Sequence, residues 1–220
     1  MHLNRYIDHT LLKATATTSD IVKLCQEAIT NDFFSVCVNS CYVSLAAEQL
    51  KHSNVKVCSV IGFPLGAMST QAKAAEATEA LKSGANEIDM VMNLGFLKSK
   101  NFDSVWKDIQ AVKSVMPNNT LKVILETCYL SNEEILKASE LAIKGGADFI
   151  KTSTGFGTRG ASLEDVKLMK DIAKDSMKIK ASGGIKDAKT AIEYINIGAE
   201  RLGTSSGIAI IKGETSNSSY

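Results

Sequence analysis

The chain has 220 residues, 45% of them apolar, and its 25 Lys and Arg stand against 24 Asp and Glu for a formal charge of +1. That length is one large domain or two small ones with ample apolar material for a core, and basic residues that are scattered rather than striped exclude a typical duplex-binding protein. No stretch approaches the roughly 20 apolar residues of a membrane helix, and the opening MHLNRYIDHTLLK lacks the apolar run of a signal peptide.

In chain order, YIDHTLL (6–12) reads as a first strand and SDIVKLCQEAIT (19–30) as an amphipathic helix. Strands FSVCVN (34–39) and KVCSVIG (56–62) follow, then the helical TQAKAAEATEALKSG (70–84). Two more strands, NEIDMVMN (86–93) and KVILET (122–127), precede SNEEILKASELAIKGG (131–146). That helix opens with Ser131 and Glu134 at capping-box spacing and closes on glycine. The last strands are DFIKTS (148–153), KIKAS (178–182) and RLGTSS (201–206). Between the first two lies SLEDVKLMKDIAK (162–174), which opens on a similar Ser-x-x-Asp.

Most of these strands are near-continuous apolar runs, the pattern of strands covered on both faces in a parallel sheet. Helices between them make right-handed βαβ units. A weak repeat supports this: SGANEIDMV, GGADFIKTS and IGAERLGTS each end a helix and begin a strand, with Gly84, Gly146 and Gly198 placed to stop the helix in the left-handed region. Eight strands predict a single-domain α/β protein, a (β/α)8 TIM barrel over residues 1–220, with a short polar, mobile tail from about 213. An open doubly wound sheet is the competing architecture. It usually carries a glycine-rich turn after its first strand, and DHTLLKATAT has no glycine. The five cysteines include no CxxC pair and read as reduced thiols of a cytosolic protein.

In such a barrel the working residues lie at the C-terminal ends of the strands. That rule selects Asp8, Cys37, Asp89, Glu126, Lys151 and Lys180. FIKTS and KIKAS are consecutive strands with a lysine at the same place, so both amines should enter one mouth. Two unit charges ~5 Å apart repel by roughly 3 kcal/mol at an effective dielectric of ~20, and burial adds to that, so one amine should be free part of the time at neutral pH. A free amine attacks carbonyls and forms a Schiff base; a lysine that snorkels to solvent or pairs with a carboxylate does neither. Asp89, between Ile88 and Met90, needs a partner and can relay protons or form a structural ion pair. Asp8 is a similar candidate, and its neighbour His9 is an acid–base group or a plain polar residue at a strand end. Glu126 either takes part in the chemistry or holds a loop by accepting backbone N–H bonds.

The turns SGGIK (182–186) and GTSSGI (203–208), after the seventh and eighth strands, stand where barrels bind phosphate through exposed amides. TGFG (154–157) can add amides from a third side. Ser205 and Ser206 are further donors, and Lys186 adds charge; equally, the glycines can serve only to make tight turns. Three histidines and no His/Cys cluster predict no zinc site, and neither GxSxG nor GxxxxGK[ST] is present. Cys37 reads as a buried structural thiol rather than a reactive one.

On these residues the chain resembles the deoxyribose-phosphate aldolase family. Matching segments run nearly its whole length: IDHTLLKATAT, VCVNSCYV, VCSVIGFPLGAMST, EIDMVMNLGFLKS, ILETCYL, GADFIKTSTGFG, IKASGGIK and LGTSSG. The resemblance implies a class I aldolase that reversibly cleaves 2-deoxy-D-ribose 5-phosphate to acetaldehyde and D-glyceraldehyde 3-phosphate. It implies Lys151 as the Schiff-base lysine, Lys180 as the second lysine and Asp89 as the relay aspartate. Phosphate contacts fall on Gly155, Gly157, Gly183, Gly184, Gly203 and Ser205, with Lys186 beside them. Asp8, Cys37 and Thr152 border the pocket, as does Tyr220, since some relatives end on a tyrosine that reaches the active site. No metal or organic cofactor is implied. The expected setting is cytoplasmic, with a small phosphosugar substrate, no nucleic acid or membrane, and a homo-oligomer, dimer or tetramer. Lys186 replaces a common arginine and loses its bidentate fork, and Arg159 replaces a small residue. A non-covalent phosphosugar isomerase and a sugar-phosphate-binding barrel are the alternatives.

Overall fold

The computed structural model describes residues 2–216. Its strands are β1 (Ile7–Leu11), β2 (Ser35–Asn39), β3 (Lys56–Ile61), β4 (Glu87–Val91), β5 (Thr120–Ile124), β6 (Phe149–Lys151), β7 (Lys178–Ser182) and β8 (Arg201–Thr204). The helices are α1 (Thr18–Thr30), α2 (Val43–Leu50), α3 (Thr70–Lys82), α4 (Leu94–Lys98), α5 (Phe102–Ser114), α6 (Asn132–Lys144), α7 (Leu163–Ala173), α8 (Ala188–Asn196) and α9 (Gly207–Lys212). Each strand pairs in parallel with the next, and β1 closes onto β8. The closed eight-stranded barrel is the predicted architecture. No helix among the described residues is long and apolar enough to cross a membrane.

Local signals place the helix ends. Ser131 caps α6 in a capping box with Glu134, and Ser162 caps α7 by accepting the Asp165 amide. Gly84, Gly146 and Gly198 all have positive φ, as the repeat requires. The chain beyond α9, expected to trail from about 213, is tied at its start: Glu214 N donates to Ala209 O and Ser216 N to Lys186 O. Tyr220, expected at the pocket, lies outside the described residues.

Alternation along each strand sorts side chains into two sets. Ile7, Val36, Val38, Ile88, Met90, Leu121, Val123, Ile150, Ile179 and Leu202 are buried in the main core with apolar residues of the surrounding helices. Their neighbours face inward. A small inner cluster holds Leu12, Cys37, Cys58 and Val60 under Phe63, and much of the rest of the interior is charged, with Phe149 set among those charges. One strong tie outside the barrel is Lys73 of α3, fully buried, whose Nζ donates to Asp108 Oδ2 at 2.6 Å and Val91 O at 3.0 Å. Thr70 Oγ1 donates to the other Asp108 oxygen. Breaking a buried pair strands its partner charge, so Lys73→Met should lower unfolding free energy by about 3–5 kcal/mol in urea titrations. Lys73→Met with Asp108→Leu should recover much of that loss; a double variant as unstable as the single would contradict the reading.

Candidate active site

Inside the barrel, six side chains close a ring of alternating charge. Glu87 Oε1 accepts from Arg201 Nη2 at 2.7 Å, and Arg201 Nη1 reaches Asp8. Asp8 Oδ2 lies 2.5 Å from Lys180 Nζ, which also donates to Asp89 Oδ2 at 2.8 Å. Asp89 Oδ1 accepts from Lys122 Nζ at 2.9 Å, and Lys122 returns to Glu87 Oε2 at 2.6 Å. Three carboxylates thus meet three cations. Lys151 is attached outside this ring: its Nζ donates to Asp89 Oδ2 at 2.8 Å, the oxygen Lys180 already uses. The two amines are therefore separated by no more than twice that distance.

The strands dictate this arrangement. Glu87 and Asp89 are two apart on β4 and share its inner face. Register pairs Asp89 with Lys122, Lys151 with Lys180, and Lys180 with Arg201. Gly203, also facing inward, makes room for the lysine stem, since a Cβ there would sit 2.9 Å from Lys180 Cε. The Arg201 guanidinium stacks 3.2 Å from the Phe34 ring centroid.

Burial opposes each charge, and the ring overcomes it. Burial would raise the Asp89 carboxyl, yet Lys122, Lys151 and Lys180 hold it well below the usual carboxylate range. Asp8 is likewise lowered despite burial, by Arg201 and Lys180. Burial works against the Lys180 ammonium, but Asp8 and Asp89 hold it well above the ordinary lysine value. Two carboxylates outweigh one neighbouring cation, so Lys180 stays charged and is the like-charged neighbour of Lys151. Lys122 is raised in the same way, against burial, by Asp89, Cys58 and Glu87.

Cys58 Sγ donates to Asp89 Oδ1 at 3.1 Å, and burial raises its thiol. Cys37 Sγ is 4.0 Å from Asp89 Oδ2, and the hydrogen bond with Cys58 lowers it. These sulfurs and a carboxylate oxygen lie within 4.8 Å of one another, a spacing that metal ions use. Three ammonium groups already hold that carboxylate, so the charge here suits an amine rather than an added cation.

At the mouth, Lys151 is 2% exposed. Phe63 and Phe156 meet edge to face at 5.4 Å, bridging the loops after β3 and β6. Beside them a cleft of about 80 Å³ runs between Pro64, Leu65, Tyr129 and Phe156. A separate cavity of about 470 Å³, lined by His9, Lys13, Asp20, Glu27 and Ser205 among others, holds neither lysine. Gly155, Gly183 and Gly184 have positive φ. Among the described residues, the amides of Gly155, Gly157, Gly183 and Gly184 have no partner, and the buried hydroxyls of Ser153 and Ser182 have none either. Gly160 packs against the Gly183 backbone, so the loops after β6 and β7 touch. Lys186 is half-buried beyond them, and Ser205 half-buried after β8.

Asp8, Cys37, Asp89, Lys151 and Lys180 thus come together as the sequence suggests. His9 and Thr152 do not join them, because each neighbours an inward residue and so faces the other way. His9 Nε2 pairs with Glu27 Oε2 at 2.8 Å. Thr152 clamps β7, donating to Ser182 O and accepting the Ser182 amide. Glu126 holds Thr154, and Arg159 holds Asp165 rather than standing free at the rim. Sequence reading missed Glu87, Lys122 and Arg201; counting in twos from Asp89 could have found Glu87, whereas Lys122 and Arg201 are brought in by register from other strands.

The family model described as "DeoC/LacD family aldolase" matches residues 3–213. The deoxyribose-phosphate aldolase of Finegoldia magna is 59% identical, across 97% of this chain and 100% of its own. An aldolase designated QR15 superposes with a TM-score of 0.92 at 47% identity, covering 96% of this chain and 94% of that one. The tetrameric deoxyribose phosphate aldolase of Aeropyrum pernix superposes at 0.89 with 33% identity, over 96% and 89% of the two chains.

The ring has a pH signature. Asp8 has a folded pKa below its unfolded value of 3.8, so its contribution is present above that value and lost as pH falls toward the folded one. Asp8→Asn should cost about 3–5 kcal/mol near neutrality. The stability gap between wild type and Asp8→Asn, read from urea midpoints, should be flat from about pH 5 to 8 and narrow below about pH 4. A gap that widens in acid would contradict it.

Proposed function

The chain belongs to the DeoC/LacD aldolase family, and on that footing we propose that it cleaves 2-deoxy-D-ribose 5-phosphate reversibly to acetaldehyde and D-glyceraldehyde 3-phosphate through an imine on Lys151. One observation carries the assignment: the Lys151 and Lys180 amines share a single oxygen of the buried Asp89. The six-membered ring is neutral by itself, so Lys151 is the surplus cation. Loss of its proton leaves the interior balanced, and the neutral amine is the nucleophile.

Lys151 Nζ adds to C1 of the open-chain sugar, and the carbinolamine hydroxyl leaves as water. The resulting iminium draws electrons. A water held by Asp89 and Lys180 takes the C3 hydroxyl proton, the C3–O bond becomes a carbonyl, and the C2–C3 pair moves to C2 to form an enamine. Glyceraldehyde 3-phosphate departs. Protonation at C2 and addition of water at C1 then release acetaldehyde and the lysine, so water is returned as often as it is taken. No step calls on a metal or an organic cofactor.

The phosphate would lie against the loops after β6, β7 and β8. The open amides of Gly155, Gly157, Gly183 and Gly184 support this, with Ser205 and Lys186 as further donors. Gly203 serves the same region by leaving space. Binding there supplies positioning energy remote from the reacting bond. A homo-oligomer is also part of the reading, for which the tetrameric relative is the support.

Borohydride reduction in the presence of 2-deoxyribose 5-phosphate, followed by peptide mass spectrometry, should place a single adduct on Lys151. Lys151→Leu should show no adduct, and its rate of acetaldehyde release should fall by about 10⁴-fold or more. An adduct on another lysine, or turnover without acetaldehyde, would overturn the assignment.

A further inference from the structure

Glu126 plays no part in the reaction as written, yet it is unusually constrained. It lies two residues beyond β5, is 3% exposed, and has left-handed backbone angles of φ 52° and ψ 63°. Such a conformation is costly for a residue with a Cβ and persists only where its surroundings enforce it. Its carboxylate explains the constraint. Glu126 Oε1 accepts the Thr154 amide at 3.2 Å, and Oε2 accepts the Thr154 hydroxyl. Thr154 Oγ1 in turn accepts the Phe156 amide at 3.0 Å. Gly157 closes the arrangement: a Cβ there would lie 3.2 Å from Glu126 Cδ and 2.5 Å from Cys128 Sγ.

The four amides of residues 154–157 are therefore divided. Those of Thr154 and Phe156 are committed to the Glu126–Thr154 chain, while those of Gly155 and Gly157 have no partner among the described residues. A second brace fixes the same connection. Thr127 Oγ1 donates to Asp165 Oδ2 at 2.8 Å, and Arg159 donates to Asp165 Oδ1 at 3.2 Å and to Thr127 O at 3.4 Å. The Glu126 charge is spent on Thr154 rather than presented to an incoming anion.

We propose that Glu126 and Thr154 are positioning residues for substrate phosphate: by tying down alternate amides of the loop after β6, they hold the Gly155 and Gly157 amides ready to bind it. This rests on the phosphate reading of these loops given above. It also explains why a glutamate, which alone would repel phosphate, stands beside that loop.

The test is the acetaldehyde-releasing reaction of the full chain on 2-deoxyribose 5-phosphate and on 2-deoxyribose. Wild type, Glu126→Gln, Thr154→Val and Thr154→Ser are compared by the ratio of kcat/KM for the two substrates. That ratio should fall at least about 10-fold in Glu126→Gln and Thr154→Val, through KM for the phosphorylated sugar, while Thr154→Ser keeps it. A ratio that survives in Glu126→Gln and Thr154→Val, with both substrates losing alike, would overturn the inference and leave the phosphate reading standing. A wild type indifferent to the phosphate would overturn that reading and this inference together. If Glu126→Gln fails to fold, the Thr154→Val and Thr154→Ser pair decides.

Discussion

Asp89 accepts hydrogen bonds from three ammonium groups in a space closed to solvent, and the rest of the molecule is arranged around that fact. Charges removed from water must be matched, because an unmatched one is expensive to keep. Asp8, Glu87 and Asp89 are matched by Lys122, Lys180 and Arg201 in a closed ring. The seventh member, Lys151, has only a share in an oxygen that another cation holds. The odd charge therefore sits at the mouth of the barrel, where a substrate can meet it.

The fold makes this possible by sending its aliphatic side chains outward. Barrels of this class commonly fill their interior with branched apolar layers. Here the apolar layer lies between strands and helices, and the interior is largely given to ions. Register does the fine positioning, because neighbouring parallel strands bring Lys151 beside Lys180 and Lys180 beside Arg201 without help from loops. Loops then supply what strands cannot: open amides, the unpartnered buried hydroxyl of Ser153 and an aromatic contact across the mouth.

Much of this is legible in the sequence. Near-continuous apolar runs mark parallel strands, and the repeated Gly-Ala junctions mark where helices stop. Two lysines at one position of consecutive strands point to the site. What escapes is the counter-charge. Lys122 in KVILET and Glu87 in NEIDMVMN look like ordinary polar ends of apolar runs, and Arg201 looks like a strand's first residue. Counting in twos from Asp89 brings Glu87 to the inner face, but pairing it with Arg201 requires the barrel's closure across strands distant in sequence. For the same reason repulsion between two lysines, taken without the carboxylates, left out what holds Lys180 charged. Helices α2, α4 and α9 also escaped, being too short for a periodic signal, and none of the three has an acidic residue in its first turn. Helix α5 did have a signal, since Asn101 caps it by accepting the Ser104 amide.

The central claim is that the ring is balanced without Lys151, which is its surplus cation. Replacing Lys180 by methionine would leave three carboxylates facing two cations, and Lys151 would become the needed third. The decisive measurement is the pH dependence of borohydride trapping on Lys151 in wild type and Lys180→Met. The account predicts that the acid limb of the variant's profile moves upward by at least about one pH unit, with the adduct still formed once pH is high enough. A profile that keeps its position without Lys180 would contradict it.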